Sequence, residues 1–292
     1  MLSAKWPKLA PYVFISPFFI IFLIFGAFPI VFSGIVSLMD WRGLKPGEFI
    51  GFQNYINLFR DRDFLKAVLN TVYLLALSGP LSIGGGLVLA VLLNSRLLRF
   101  RGWFRSAYYL PMAVSLVVAG LAFSMLLNKP FGFVNDVIIR QVFGGEPLDF
   151  MSNPSLAIPT LTLLIVWRYI GNDLVIMLAG LQSIPPDLYE AARIDGASSF
   201  QIFLRVTLPL MAPIILFDAI LSTVNTFNMF AEPYILFGTE GGVDQSALTT
   251  GLLVYSVSFK FFKLGYGAAM AYLIGIVIFA LSLLQLRLGQ RD

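Results

Sequence analysis

The chain has 292 residues, of which 58% are hydrophobic and 12% charged, with a formal net charge of +4. A soluble domain carries about 25% charged residues, so half the usual solvating surface is missing and a water-soluble globule is excluded. With no cysteine and no histidine, the chain also lacks disulfides, thiol nucleophiles, His- or Cys-ligated haem and the usual zinc sites.

No charge falls between Lys8 and Asp40, Lys66 and Arg96, Arg105 and Lys129, or Lys263 and Arg287. Each gap is longer than the ~20 residues that carry a helix across the hydrocarbon core. The first run is too long for a signal peptide and continues through Pro29 to Leu38, which predicts a retained helix. Gly51 to Leu75, "GFQNYINLFRDRDFLKAVLNTVYLL", has apolar residues at helical spacing and predicts a short interfacial helix leading into the second span. Within that span "SGPLSIGGG" (Ser78 to Gly86) has glycines but no lysine. It is therefore a helix-packing surface and not a phosphate loop.

A third span comes next, then a second interfacial helix in "KPFGFVNDVIIRQVFGG" (Lys129 to Gly145). The fourth span, about 155–182, carries Arg168 and Asp173; the fifth, about 208–231, carries Asp218; the sixth ends before Arg287. The runs are continuous and helix-forming, without the alternation of a membrane barrel. The expected fold is an all-α membrane protein of six transmembrane helices in a single domain, 1–292.

Lys5 and Lys8, the cluster Arg96, Arg99, Arg101 and Arg105, and Arg287 and Arg291 fall on one side of six spans. The positive-inside rule makes that side cytoplasmic, with both termini inside. The first outer loop runs against the rule with Arg42, Lys45, Arg60 and Arg62, among Asp40, Glu48, Asp61 and Asp63.

The same parity puts residues 183–209, "SIPPDLYEAARIDGASSFQIFLRVTLP", in the cytoplasm. Asp187 and Glu190 have capping-box spacing after Pro185 and Pro186, and Gly196 supplies a positive-φ stop. Ser198 and Gln201 repeat the box for a second short helix through Phe200, Phe203 and Leu204. Ala191 and Ala192 allow close approach on the first helix, and exposed Phe200 and Phe203 require a cover. An ordinary solvated connection is the competing reading.

Glu190-Ala191-Ala192, Asp195-Gly196-Ala197 and Val206-Thr207-Leu208-Pro209 resemble the EAA loop of permease subunits in bacterial binding-protein-dependent ABC importers. The resemblance continues through "GFQNYINLF", "FRSAYYLPMAVS", "GFVND" and "GGVDQSALTT", in the order seen in the maltose-type, sugar-importing branch. "GFQNYINLF" is more like the first of that branch's two permease subunits. "GGVDQ" at Gly241 departs from the expected Gly-Gly-Pro and is expected to loosen a periplasmic turn. The resemblance implies a multi-pass protein of the bacterial cytoplasmic (inner) membrane with the ABC importer permease fold. Its implied partners are a homologous second permease in a heterodimer, two ATPase subunits, an extracytoplasmic solute-binding protein, a sugar and membrane lipid, and no nucleic acid. The 183–209 loop would be the coupling helix seated on the ATPase, through Glu190, Ala191, Ala192, Asp195, Gly196, Phe200 and Phe203. The chain itself would bind no cofactor, ATP and Mg being held by the ATPase subunits.

Ionisable groups at bilayer depth mark candidate solute pathways. Arg168 lies midway along the fourth span, with Asn172 one turn on, while Asp173 points about 140° away. On the fifth span Asp218, Ser222, Asn225 and Asn228 share a face, extended by Glu232 if the helix persists. Matching depth and opposite sign predict an Arg168–Asp218 pair. Such groups suit hydroxylated ligands, with Trp167, Tyr169 and Phe227 offering faces to sugar rings; the competing reading is a helix–helix polar clasp, which for Arg168 and Asp218 is the cheaper way to bury both charges. In the resembled family, sugar contacts include polar positions of the span after the coupling loop.

Three functions compete: a non-enzymatic permease subunit of an ATP-driven sugar importer, a secondary transporter or channel, and an intramembrane enzyme. No internal repeat favours the second, and no defensible acid pair favours the third. The permease reading also gives the EAA-like loop a role.

Overall fold

The structure, a computed structural model, describes residues 6–43, 47–95 and 100–289. Lys5, Lys45, Arg96, Arg99 and Arg291, on which the orientation reading draws, lie outside the described residues.

Helix α1 (Trp6–Phe22) passes through one π turn, Leu23–Ala27, into α2 (Phe28–Ser37). A two-residue hairpin, β1 (Met39–Asp40) with β2 (Glu48–Phe49), leads to α3 (Gln53–Leu58). Then come α4 (Arg62–Asn94), α5 (Arg101–Ala113), α6 (Leu116–Leu126), a π-helical segment Val134–Val142, and α7 (Pro154–Ser183). Helices α8 (Pro186–Ile194) and α9 (Ser199–Ile202) precede a π turn, Phe203–Thr207, and α10 (Leu208–Asn228). The chain finishes with α11 (Ala231–Phe237), α12 (Thr250–Tyr255) and α13 (Leu264–Gly289).

Among the described residues five helical stretches are long and apolar enough to cross a membrane: Ala10–Ser37, Arg62–Asn94, Pro154–Ser183, Ser199–Asn228 and Leu264–Gly289. The expected third span is not one straight helix. It is the pair α5 and α6, bent by 93°, and it makes the sixth crossing only if the pair is one span. The break sits at Val114 and Ser115, both in extended backbone, three residues after Pro111. An uncharged run reports apolarity and carries no information about a bend of this kind.

The chain divides into two compact units, Met1–Asp61 with Val254–Leu273 and Arg62–Leu253 with Ile274–Asp292. In the first unit, buried Asn54 of α3 donates to the carbonyls of Ser37 (2.9 Å) and Met39 (3.0 Å). Tyr55 shares a hydrogen bond with Ser37 at 2.8 Å, and Tyr266 donates to Asp61 at 2.7 Å. The expected interfacial helix therefore also closes the carbonyls left open where α2 ends.

The second unit is built on α4 against α7. Within Ser78 to Gly86, Gly86 does pack the helices closely: a Cβ there would stand 2.8 Å from Asp173 Cβ and 2.9 Å from the Leu174 nitrogen. A core of Leu87, Ala90, Leu174, Met177, Leu181 and Met211 joins α4, α7 and α10. The turn at Gly241 is tied down, contrary to expectation. Lys66 donates to the Asp244 carbonyl, and Asn70 to those of Gln245 (2.9 Å) and Leu248 (3.1 Å). Two side chains of α4 thus supply the constraint expected of a proline there.

Candidate functional site

The fifth span breaks after Asn228. Met229 is extended (φ −69°, ψ 121°) and α11 starts afresh at Ala231. A helix break in an apolar setting leaves carbonyls that need donors. Thr250 Oγ1 donates to Phe227 O and Thr249 Oγ1 to Met229 O, each at 2.6 Å, while Thr71 Oγ1 accepts from the Thr250 N–H at 3.0 Å. Thr249 and Thr250 therefore hold open a corner that turns Glu232 back toward α7.

Beside this corner is a cavity of about 490 Å³, within the size range of small-molecule sites. Asp218, Ser222, Asn225 and Asn228 all line it, so the stripe read from helical spacing is one continuous wall. Asn172 and Tyr169 of α7 line it too. Arg168 does not. Its Nη1 donates to the Val114 carbonyl at 2.8 Å, and its guanidinium lies 5.8 Å from the Tyr169 ring centre.

The expected Arg168–Asp218 pair does not form: Arg168 is bonded to the Val114 carbonyl and Asp218 Oδ2 has no hydrogen-bond partner. The physical reason is the broken third span. Its extended backbone leaves the Val114 carbonyl without a helical donor, and Arg168 reaches it first.

Several wall residues escaped the sequence reading of this site, among them Asp173, Ser78 and Ser82. Asp173, placed elsewhere by helical angle from Arg168, faces the cavity and accepts a hydrogen bond from the Ser82 hydroxyl. Ser78 and Ser82 of α4 line it as well. A regular Ser78–Ser82 spacing beside the glycines was the available signal, and it gains meaning only when Gly86 brings α7 close.

Glu232 faces the cavity despite the helix break and accepts from Tyr169 Oη at 2.8 Å. Of the three aromatic candidates only Tyr169 lines the wall. Phe227 is fully buried, and Trp167 packs against Phe123 at 5.4 Å.

At the far end of α7 stands the 183–209 loop. Helix α8 has Pro185 at its N-cap and no side-chain cap bond, so the Asp187–Glu190 capping box does not form. Pro186 takes the first helical position, which puts Asp187 two places past the cap. The C-terminus behaves as read. Gly196 has φ +78°, with Gly196 N bonded to Arg193 O (3.1 Å) and Ala197 N to Ala192 O (3.0 Å), a Schellman closure.

Ser198 and Gln201 form the predicted capping box in both directions, at 3.3 and 2.8 Å. The helix that this box opens is not a separate short one, however. Ser199–Asn228 runs as one helical stretch, so the second helix of the loop is the start of the fifth span.

Glu190, Ala191, Asp195, Gly196 and Phe200 are exposed, and Ala192 is half-buried. Phe203, expected on the outer face, packs instead against the α4–α7–α10 core, next to the buried Ile202. Ile194, 86% exposed, and Phe200, 68%, are the most exposed of the loop's large apolar groups. Tyr189 anchors α8, lying against the same core with its hydroxyl 3.4 Å from that of Thr207.

Residues 82–291 match the family described as the binding-protein-dependent transport system inner membrane component. The chain belongs to that family. This membrane component is 34% identical to the arabinooligosaccharides transport system permease protein AraP of Bacillus subtilis (strain 168), over 97% of this chain and 89% of that one. It is 34% identical to the lactose transport system permease protein LacF of Rhizobium radiobacter, over 94% and 92%. With the trehalose/maltose transport system permease protein MalF of Thermococcus litoralis it shares 30% identity over 96% and 93%. Its fold matches a solved bacterial alginate ABC transporter, in complex with an alginate pentasaccharide-bound periplasmic protein, at a TM-score of 0.81. That likeness covers 98% of this chain and 97% of that one at 23% identity, and it bears on the fold.

Proposed function

We propose that this membrane component is the first of two permease subunits of an ATP-driven importer that carries a saccharide across a bacterial cytoplasmic membrane. A homologous permease would complete the pathway, two ATPase subunits would bind ATP and Mg, and an extracytoplasmic binding protein would deliver the solute. The 490 Å³ cavity, walled by hydroxyls, amides, carboxylates and a tyrosine, is the proposed solute site, and the chain performs no chemistry of its own.

One observation carries the reading. The exposed helix α8 is closed by a positive-φ glycine and leads directly into the uninterrupted stretch Ser199–Asn228, which bears Asp218, Ser222, Asn225 and Asn228. A push on α8 by an ATPase therefore reaches the cavity wall through a single helix, and the rigid Ser198 box prevents the joint from absorbing it. This is the structural requirement for alternating access driven from outside the membrane. A secondary transporter needs no such projecting element.

Gly196→Val tests the reading. Valine at φ +78° is strained whatever space surrounds it, and a Cβ there meets nothing within 4 Å, so the bundle is untouched. The variant is expected to insert normally, to release the ATPase during purification, and to lose the stimulation of ATP hydrolysis by loaded binding protein. Full ATPase retention with normal uptake overturns the coupling role.

A further inference from the structure

The charged groups that line the cavity are Asp173, Asp218 and Glu232, and all three are more than nine-tenths buried. Two have partners within the wall: Asp173 takes the Ser82 hydroxyl and Glu232 takes the Tyr169 hydroxyl. Asp218, 3% exposed, differs from them. Its Oδ2 is buried with no hydrogen-bond partner. The cation expected to pair with it, Arg168, is committed to the Val114 carbonyl and does not enter the lining. No group of three acidic side chains among the described residues is close enough to hold one metal ion.

An anionic ligand meets three acidic side chains and, among the described residues, no cationic side chain in the lining, in a setting where charges are poorly screened. We propose that this cavity selects by charge: it admits neutral or amine-bearing saccharides and excludes saccharides bearing a carboxylate, phosphate or sulfonate. The saccharide part of this statement rests on the function proposed above; the charge selectivity rests on the cavity alone.

The absence of cysteine from the chain makes the test direct. Asn225→Cys places a single thiol on the exposed part of the cavity wall. In the assembled complex this thiol is reacted with two methanethiosulfonates of similar size, one bearing a trimethylammonium and the other a sulfonate. Labelling is followed on this subunit by mass spectrometry. The cationic reagent is expected to react faster, by about tenfold or more beyond the ratio found with a free thiol in solution. Adding Asp218→Asn, which keeps the shape and removes the charge, brings the ratio toward the free-thiol value. Glucosamine in excess protects the thiol, and glucuronate at the same concentration does not.

A ratio in the parent equal to that of the free thiol overturns the inference even if the Asp218 variant fails to assemble. So does a ratio unchanged by Asp218→Asn, or equal protection by the two sugars. If the reagent ratio is as expected but the complex moves no saccharide with any binding protein, the proposed function fails and the charge selectivity stands.

Discussion

The packing of α4 on α7 can be tested with two glycines two residues apart. A Cβ on Gly86 would stand 2.8 Å from Asp173 Cβ, 2.9 Å from the Asp173 carbonyl carbon and 2.9 Å from the Leu174 nitrogen. Two of those three atoms are backbone, which cannot swing aside. A Cβ on Gly84 meets nothing within 4 Å. Alanine is favoured over glycine in a helix interior by ~0.5–1 kcal/mol, and both variants gain that amount. At Gly86 it is opposed by an overpacking cost of ~1–3 kcal/mol, because α7 must move away as a body.

Gly84→Ala should therefore be neutral to stabilising, and Gly86→Ala should destabilise by ~0.5–2 kcal/mol net. The movement of α7 also draws Asp173 away from Ser82, so the Gly86 variant should lose uptake while the Gly84 variant keeps it. Unfolding midpoints of the two purified variants, measured in the same detergent, provide the comparison. Equal shifts, or a larger loss at Gly84, refute the close α4–α7 contact and the cavity wall built on it.

Arg168→Met should cost about 1–3 kcal/mol by orphaning the Val114 carbonyl, whereas Asp218→Leu removes a carboxylate with an unmet acceptor and should cost little. Because the two do not pair, the double variant should be additive within about 0.5 kcal/mol; rescue beyond that restores the ion pair. Ser198→Ala removes one half of the capping box and should destabilise the start of the fifth span by about 1 kcal/mol, seen as faster amide exchange over Ser199 to Phe203. Unchanged exchange there would show the box to be idle.

Much of this protein is dictated by its residues alone, and for a physical reason. Apolar runs longer than the hydrocarbon core is thick admit one solution, a helix, so the spans and the all-helical class are readable from charge spacing. Local chemistry is equally readable: Gly196 at positive φ, the Ser198–Gln201 box and the shared face of Asp218, Ser222, Asn225 and Asn228 depend only on neighbours a few residues away. Even there a shift of two residues defeats the reading, as at Asp187, where proline at the cap position leaves the carboxylate inside the helix.

The tertiary structure was needed for every question of which buried group meets which. Arg168 and Asp218 match in sign and depth, yet the break at Val114 offers the guanidinium a carbonyl, and no pattern within the fourth span announces a bend in the third. Asp173 joins the cavity because Gly86 lets α7 lie against α4, and Glu232 joins it because Thr249 and Thr250 satisfy a break in the fifth span. Helical periodicity assigns a side chain to a face, but the partner on that face comes from a helix dozens of residues away. Only the packed bundle brings the two together.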